Sequence, residues 1–415
     1  MKNINLVKKQ IDQFRSLLKQ SLDRIDQETI QRHRKLETSH ILYCLCLKVC
    51  YQLGYQDAIS KMEGYGFLNN ITYQSINNKI LSGKYIKPFT DMNQQLIRTL
   101  FPTKNTNKRV AVDGSHIQLP ISLRRNGYLR INNDPYVTGL ISTIYDLENH
   151  VPVSYDLEKS LNERTVFYNQ FSKMDQSMIV IGDRGYFSND VMLKILSIKR
   201  NFIFRLPINS YLVKRINGDH TREIITYLNG LKIRVIHYQL SSKILRAIRT
   251  DDHSKIKFVP INNDYYLVTS LIDVVNYPID QIIEWYHHRW EIEEYYKTIK
   301  NRLVSGTVMS MTETGILNEI AVQHMLSILV SFFSNVLTVD VHRKVNHKIL
   351  LNRIVDHILP FIFFDKPNIE FFKDIIGHLE SVEKYQIPIR NGRSFPREQR
   401  FHHNKFPTKK IQIDR

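Results

Sequence analysis

Residues 178–186 read Met-Ile-Val-Ile-Gly-Asp-Arg-Gly-Tyr. The nearly all-apolar run Met178–Gly182 is too short for a core helix and suits a strand covered on both faces. It stops on an acid, Asp183. Upstream, Arg109–Leu119 alternates like a strand and carries Asp113 followed by Gly114. Tyr136–Asp146 and Val151–Leu157 are β-rich and split by the turn-like cluster Glu148-Asn149-His150, which predicts an antiparallel meander. Asn162–Asp175 reads as a helix, Ser188 is placed to cap a helix over Asn189–Lys199, and Asn201–Leu206 returns as a strand. The order βββαβαβ predicts an α/β fold with a mixed sheet flanked by helices. Asp113 lies on the first strand of this order and Asp183 at the end of the fourth.

A second stretch, Tyr286-His-His-Arg-Trp-Glu-Ile-Glu-Glu-Tyr-Tyr-Lys-Thr-Ile-Lys300, lacks Pro and Gly and predicts one helix. At about 100° per residue, Tyr286, Arg289, Glu293 and Lys300 fall on a strip roughly 60° wide. An apolar stripe of Trp285, Ile292, Tyr296, Ile299 and Leu303 runs beside it. That anchorage holds Glu293 at the core's edge, whereas Glu291 and Glu294 point elsewhere. Alone, the pattern fits equally well a surface helix laced by Glu293–Lys297 and Glu293–Lys300 ion pairs.

Tyr286-x2-Arg289-x3-Glu293-x6-Lys300 resembles, without a gap, the Tyr-Arg-Glu-Lys signature of the insertion sequence four family of DDE transposases. Arg109-Val-Ala-Val-Asp113-Gly-Ser and Ile179-Val-Ile-Gly-Asp183-Arg-Gly-Tyr186 resemble its first two acid-bearing strands, so the likeness runs from about Arg109 to Leu303. The resemblance implies an RNase H-like catalytic core interrupted by a β-rich insertion. It implies Asp113, Asp183 and Glu293 as catalytic and metal-binding carboxylates for two Mg²⁺ (or Mn²⁺) ions, hard cations that suit oxygen donors. Three such acids repel one another, so the metal-free site is expected to be poorly ordered or to carry raised pKa values.

It further implies DNA contacts by Tyr286, Arg289 and Lys300. Arg184 and Tyr186, beside Asp183, are placed either to touch DNA or to pair locally. Family members stack a flipped base on an aromatic, often a Trp near the end of the insertion. The chain's two tryptophans, Trp285 and Trp290, both lie in the signature stretch, which leaves Tyr265 or Tyr266 for that role. The implied partner is double-stranded DNA, both transposon ends and target. Cutting both ends in concert implies a homodimer on DNA. A nuclease or resolvase on the same scaffold, or a DNA-binding protein with a dead site, are the competing readings.

The rest of the chain agrees. It has 415 residues, a formal charge of +18 and a pI near 9.6, which favours a polyanionic partner. Residues 1–105 read as a helical DNA-binding region. Tyr55–Met62, a Gly-Tyr-Gly turn and a helix at Thr72–Lys79, capped by Thr72, are compatible with a helix-turn-helix. The core is expected over 106–207 and 273–355, split by a basic β insertion at 208–272. There Tyr211–Arg215, Leu231–Tyr238, Ile244–Arg249 and Tyr265–Ser270 read as strands, and Arg205–Lys257 holds eleven Lys/Arg against four Asp/Glu. Residues 356–415 are expected to be helical to about Lys384 and then a basic tail.

Cys44, Cys46 and Cys50 stand in one apolar run that helix packing explains better than a metal site with His40. Cysteines without distant partners suit a reducing, cytoplasmic setting, with the protein at the bacterial nucleoid. Residues 1–40 are charged throughout, unlike a signal peptide. Ala321–Val339 contains Gln323, His324 and Asn335 and reads as a core helix rather than a membrane span.

Overall fold

The N-terminal region is helical, as its pattern demands: α1 (Ile4–Thr29), α2 (Thr38–Tyr51), α3 (Tyr55–Gly64), α4 (Tyr73–Leu81) and α5 (Ile86–Leu100). The structure is a computed structural model and describes residues 4–29, 36–68, 71–102, 108–174, 178–239, 245–249, 256–260, 264–299, 308–337, 342–364 and 369–388. Helix α2 is covered on nearly every side, with Cys44 and Cys46 in the core and Cys50 half-buried. Thr72 stands at the N-cap position of α4, but its hydroxyl lies 3.1 Å from Ser75 Oγ and caps no amide. The capping expected of it is not made.

The βββαβαβ order forms. Strands β1 (Lys108–Leu119), β2 (Val137–Asp146) and β3 (Val151–Glu158) are an antiparallel meander. Helix α6 (Glu163–Asn169) starts at Asn162, whose side chain accepts from the amides of Arg164 and Thr165, and it is shorter than expected. Strand β4 (Met178–Gly182) is wholly buried. Ser188 accepts from Val191 N and starts α7 (Asn189–Ser197), which leads to β5 (Asn201–Arg205). Strand β4 pairs in parallel with both β1 and β5.

The insertion differs from its expected form in two ways. Tyr211–Gly218 is a helix, α8, not a strand: Ser210 caps it, and Leu212, Val213 and Ile216 at helical spacing are its buried face. Strands β6 (Glu223–Leu228) and β7 (Leu231–Gln239) meet across Asn229-Gly230, both at positive φ, the Asn-Gly signature of a tight hairpin. Strands β8 (Leu245–Arg249) and β9 (Ile256–Pro260) form a hairpin of their own, and β10 (Asp264–Thr269) follows. β10, β7 and β6 do not build a separate sheet. They extend the main one to eight strands in the order β3-β2-β1-β4-β5-β10-β7-β6.

The signature stretch follows as α9 (Ile279–His287) and α10 (Trp290–Thr298). Arg234 on β7 is fully buried and bonded to Glu223, and its Nη1 donates to the Tyr277 carbonyl at 2.6 Å, tying the extension to the start of α9. The long helix α11 (Glu313–Val336) packs against α5, α2 and β3. Among the described residues it is the one helix long and apolar enough to cross a membrane, yet 89% of its most apolar window is buried, as a core helix requires. Helices α12 (His347–Arg353), α13 (Leu359–Phe364) and α14 (Ile369–Lys384) complete the fold. One continuous core joins the N-terminal helices, α10–α13 and one face of the sheet; a second lies under α6, α7 and α8.

Within the first core Lys48 pairs with Glu319, both nearly solvent-free, and Glu319 also accepts from Ser310 Oγ and Met309 N. A buried pair adds little net stability, but stripping one partner leaves an uncompensated charge. Glu319→Ala is expected to lower the unfolding free energy by about 3–5 kcal/mol in urea titrations, and Lys48→Met with Glu319→Leu to recover most of it. A cost below about 1 kcal/mol for the single change would contradict this burial.

Candidate active site

The parallel pairing of β1 and β4 sets the geometry. Lys108 stands opposite Met178, Val110 opposite Val180 and Ala111 opposite Ile181. Carrying that register two residues further sets Asp113 abreast of Asp183 where the pairing ends, one strand spacing of about 4.8 Å apart. Both acids have the parity of Ala111 and Ile181, whose side chains belong to the core that also contains Ile292, Tyr296 and Ile299. Each carboxylate is held by a following glycine: Gly114 N donates to Asp113 Oδ1 at 2.9 Å, and Gly185 N to Asp183 Oδ1 at 2.7 Å. Tyr296 donates its hydroxyl to the Asp113 carbonyl at 2.8 Å and shares it with the Ile141 carbonyl at 3.2 Å. The signature helix is thereby fastened to the backbone of the first acid.

That stretch is not the single helix expected from its composition. At His288 and Arg289 the ladder tightens: Arg289 N, Glu291 N and Ile292 N each reach back three residues rather than four. The backbone stays in the α region, and the predicted sidedness survives. Ile292, Tyr296 and Ile299 are buried, and Arg289 Nη2 donates to Glu293 Oε1 at 2.8 Å. Glu291 instead meets His150, and Glu294 takes Lys297, so Lys297 is not the partner of Glu293. Arg289 is 8% exposed and lies over the ring of Tyr286, with which it also shares a hydrogen bond. Its Nε is buried without an acceptor.

Sequence reasoning passed over Glu163. This first residue of α6 enters the site from the far side, its carboxylate beside Gly114 and near Gly185. Asp113 is half-buried, and its pKa is pushed up to about 7, chiefly by burial, then by Glu163, with Asp183 adding to the effect. The Gly114 N–H and Arg289 act in the opposite direction. Glu163 is raised too, by burial and then by Asp183. The charge repulsion expected of clustered acids is present, with Glu163 as an unforeseen contributor. Two signals could have found it: an acid opening the helix after the meander, and glycines beside both aspartates. Tyr296 was read only as part of the apolar stripe.

The three predicted carboxylates are not gathered into one cluster. Among the described residues no three His, Cys, Asp or Glu side chains are placed to hold a metal ion as they stand. Asp113 and Asp183 follow the last paired residues of β1 and β4, near enough for Asp183 to raise the Asp113 pKa, while Glu293 is turned to Arg289. The donor chemistry nevertheless fits Mg²⁺ or Mn²⁺: hard oxygen ligands, half-buried, carrying surplus negative charge.

The expected DNA contacts divide. Arg184 is exposed beside Asp183. Tyr186 is 1% exposed and packs edge-on against Phe167, so its ring belongs to the core and is not presented at the surface. Tyr266 is likewise excluded as a stacking platform: it is buried, stacks on His237 and bonds Asn217 at 3.0 Å. Tyr265 is half-buried between Tyr238 and the Arg205 guanidinium. Tyr286 is also buried, beneath Arg289. Trp290 is 57% exposed, whereas Trp285 packs on Tyr277 and Arg109. Lys300 and Leu303 lie outside the described residues.

Because Asp113 holds its proton more tightly in the folded protein than at its ordinary value of 3.8, its contribution to stability is complete below about pH 3.8 and lost as pH rises through about 7. Metal-free protein is expected to lose stability across that range, and Asp113→Asn to flatten the slope in thermal melts at matched ionic strength. An unchanged slope in the variant would contradict the assignment.

No curated protein matches the chain. Among solved structures it is similar to the piggyBac transposase in a synaptic complex with hairpin DNA, at 10% identity and a TM-score of 0.45, covering 91% of this chain and 85% of that one. The profile of the transposase DDE domain matches residues 104–329, more than half of the chain and the whole span from β1 into α11. The chain belongs to the transposase DDE-domain family and is a DDE transposase.

Proposed function

We propose that this protein is an insertion-sequence transposase that binds terminal inverted repeats, hydrolyses the phosphodiester at the element's ends and joins the freed 3′ ends to target DNA. The observation that carries the reading is Asp113 and Asp183 abreast where the parallel β1/β4 pair ends, beneath a helix pair presenting Arg289 and Glu293. The central sheet then serves as an RNase H-like core, with the strands of the insertion built onto its edge. Asp113, Asp183 and Glu293 would hold Mg²⁺ or Mn²⁺, which when bound lowers the pKa of the attacking oxygen and stabilises the leaving one.

The remaining work falls to the chain's own groups. In the first step water attacks phosphorus, the P–O3′ bond breaks and the 3′ oxygen leaves with a proton. In the second, that 3′-OH attacks a target phosphodiester, releasing a target 3′-OH, so bonds made equal bonds broken. Arg289 has an unmatched buried N–H and a planar fork suited to a phosphate, and Lys300 supplies a point charge. Arg184, exposed beside Asp183, is placed to meet the same strand. The N-terminal helices and the +18 charge support binding of double-stranded DNA. Two coordinated cuts call for two copies of the chain on one synapsed DNA.

With supercoiled plasmid carrying a candidate terminal repeat and Mg²⁺, wild type is expected to cleave at the repeat and give strand-transfer product. Glu293→Gln is expected to lower cleavage at least about 100-fold, the scale for losing one charge-stabilising group. Equal cleavage by both proteins contradicts the mechanism; cleavage without strand transfer favours the nuclease reading.

A further inference from the structure

We propose that Glu163 is a fourth carboxylate of this site, facing the same divalent cation as Asp113 and Asp183. The inference rests on the metal-dependent reading above and concerns a residue that the Tyr-Arg-Glu-Lys pattern does not contain. Its ground is a cradle. A Cβ on Gly114 would lie 2.7 Å from Glu163 Cγ and 2.9 Å from both Cδ and Oε1. A Cβ on Gly185 would lie 2.9 Å from Asp183 Oδ1 and 3.8 Å from Glu163 Oε2. The two glycines that bind the aspartates through their amides therefore also leave the space that the Glu163 carboxylate and its neighbour Asp183 fill. Any larger residue at 114 displaces the acid.

The placement is not explained by the start of α6. Asn162 already caps that helix, accepting from Arg164 N at 3.1 Å and Thr165 N at 3.3 Å. The adjacent cation, Arg164, is committed elsewhere, donating through Nε to the Gly185 carbonyl, which ties α6 to the Asp183 turn. Among the described residues no cation pairs with Glu163. An acid without a partner, half-buried against two other acids, is unfavourable in the free protein. A hard divalent ion turns that repulsion into attraction. Helix α6 packs in the second core and α10 in the first, so Glu163 reaches the strand ends from the other side of the sheet. The three carboxylates are not gathered as they stand, and the cation is what would draw them together.

Mn²⁺ binding to the full-length protein, followed by the EPR signal of free Mn²⁺, tests this with Glu163→Gln, Gly114→Ala and Asp113→Asn. All three are expected to weaken binding by about tenfold or more, Gly114→Ala by evicting the carboxylate without removing an acid. The metal-free melting temperature of Glu163→Gln is expected to equal or exceed that of wild type, since one repelling charge is gone. If Glu163 merely favours the helix N-terminus, that melting temperature falls and Mn²⁺ affinity stays. Affinity within about twofold of wild type in Glu163→Gln and Gly114→Ala, with Asp113→Asn weakened, overturns the assignment of Glu163 alone. Unchanged affinity in all three overturns the metal-dependent reading and this inference with it.

Discussion

Everything in this protein is arranged around two like charges that a β-sheet forces side by side. The parallel register of β1 and β4 ends at Ala111 and Ile181, and carried two residues on it brings Asp113 beside Asp183. Strands β2 and β5 flank the pair, and both aspartates are only half-buried. The Asp113 pKa is pushed up to about 7, first by burial and then by Glu163, with Asp183 adding a smaller part. The surroundings answer locally, with glycine amides on each carboxylate and an arginine nearby. The Tyr296 hydroxyl fixes the backbone of Asp113 to the helix that delivers Glu293.

Under the function proposed, the Arg289–Glu293 pair is the contact that has to open. It is an i,i+4 contact with a carboxylate about a third exposed. The guanidinium is buried, so Arg289 left without a partner would carry an uncompensated charge. A divalent cation attracts a carboxylate more strongly than a single guanidinium charge does at equal distance. Exchange of Glu293 onto a cation is thus favoured where another anion takes its place on Arg289. Releasing it would also free the Arg289 fork for a phosphate, which links arrival of the third acid to capture of DNA under the function proposed.

Much of this was legible in the residues. The meander, the buried fourth strand, the Ser188 cap and the sidedness of Arg289 and Glu293 follow from periodicity and cap chemistry. These are local rules, and the structure obeys them. What escaped depends on tertiary context. Tyr211–Gly218 is rich in β-prone residues, yet its buried face has helical spacing and Ser210 caps it. The strands of the insertion could be recognised, but not that they would add to the edge of β5, because sheet partners are chosen across dozens of residues. The aromatic rings of Tyr186 and Tyr266 looked available beside the site, and only packing shows them buried. Glu163 was hidden for the same reason: its partner is the missing side chain of Gly114, and an absence of atoms has no signature until the backbone around it is known.

Anomalous diffraction from crystals grown with Mn²⁺ tests the central claim most directly. The account predicts a peak between the carboxylates of Asp113 and Asp183, within about 2.0–2.6 Å of an oxygen from each. A peak only at other positions, or none at occupancies where the protein demonstrably binds the ion, would mean that the enforced meeting of these two acids does not serve to hold a metal.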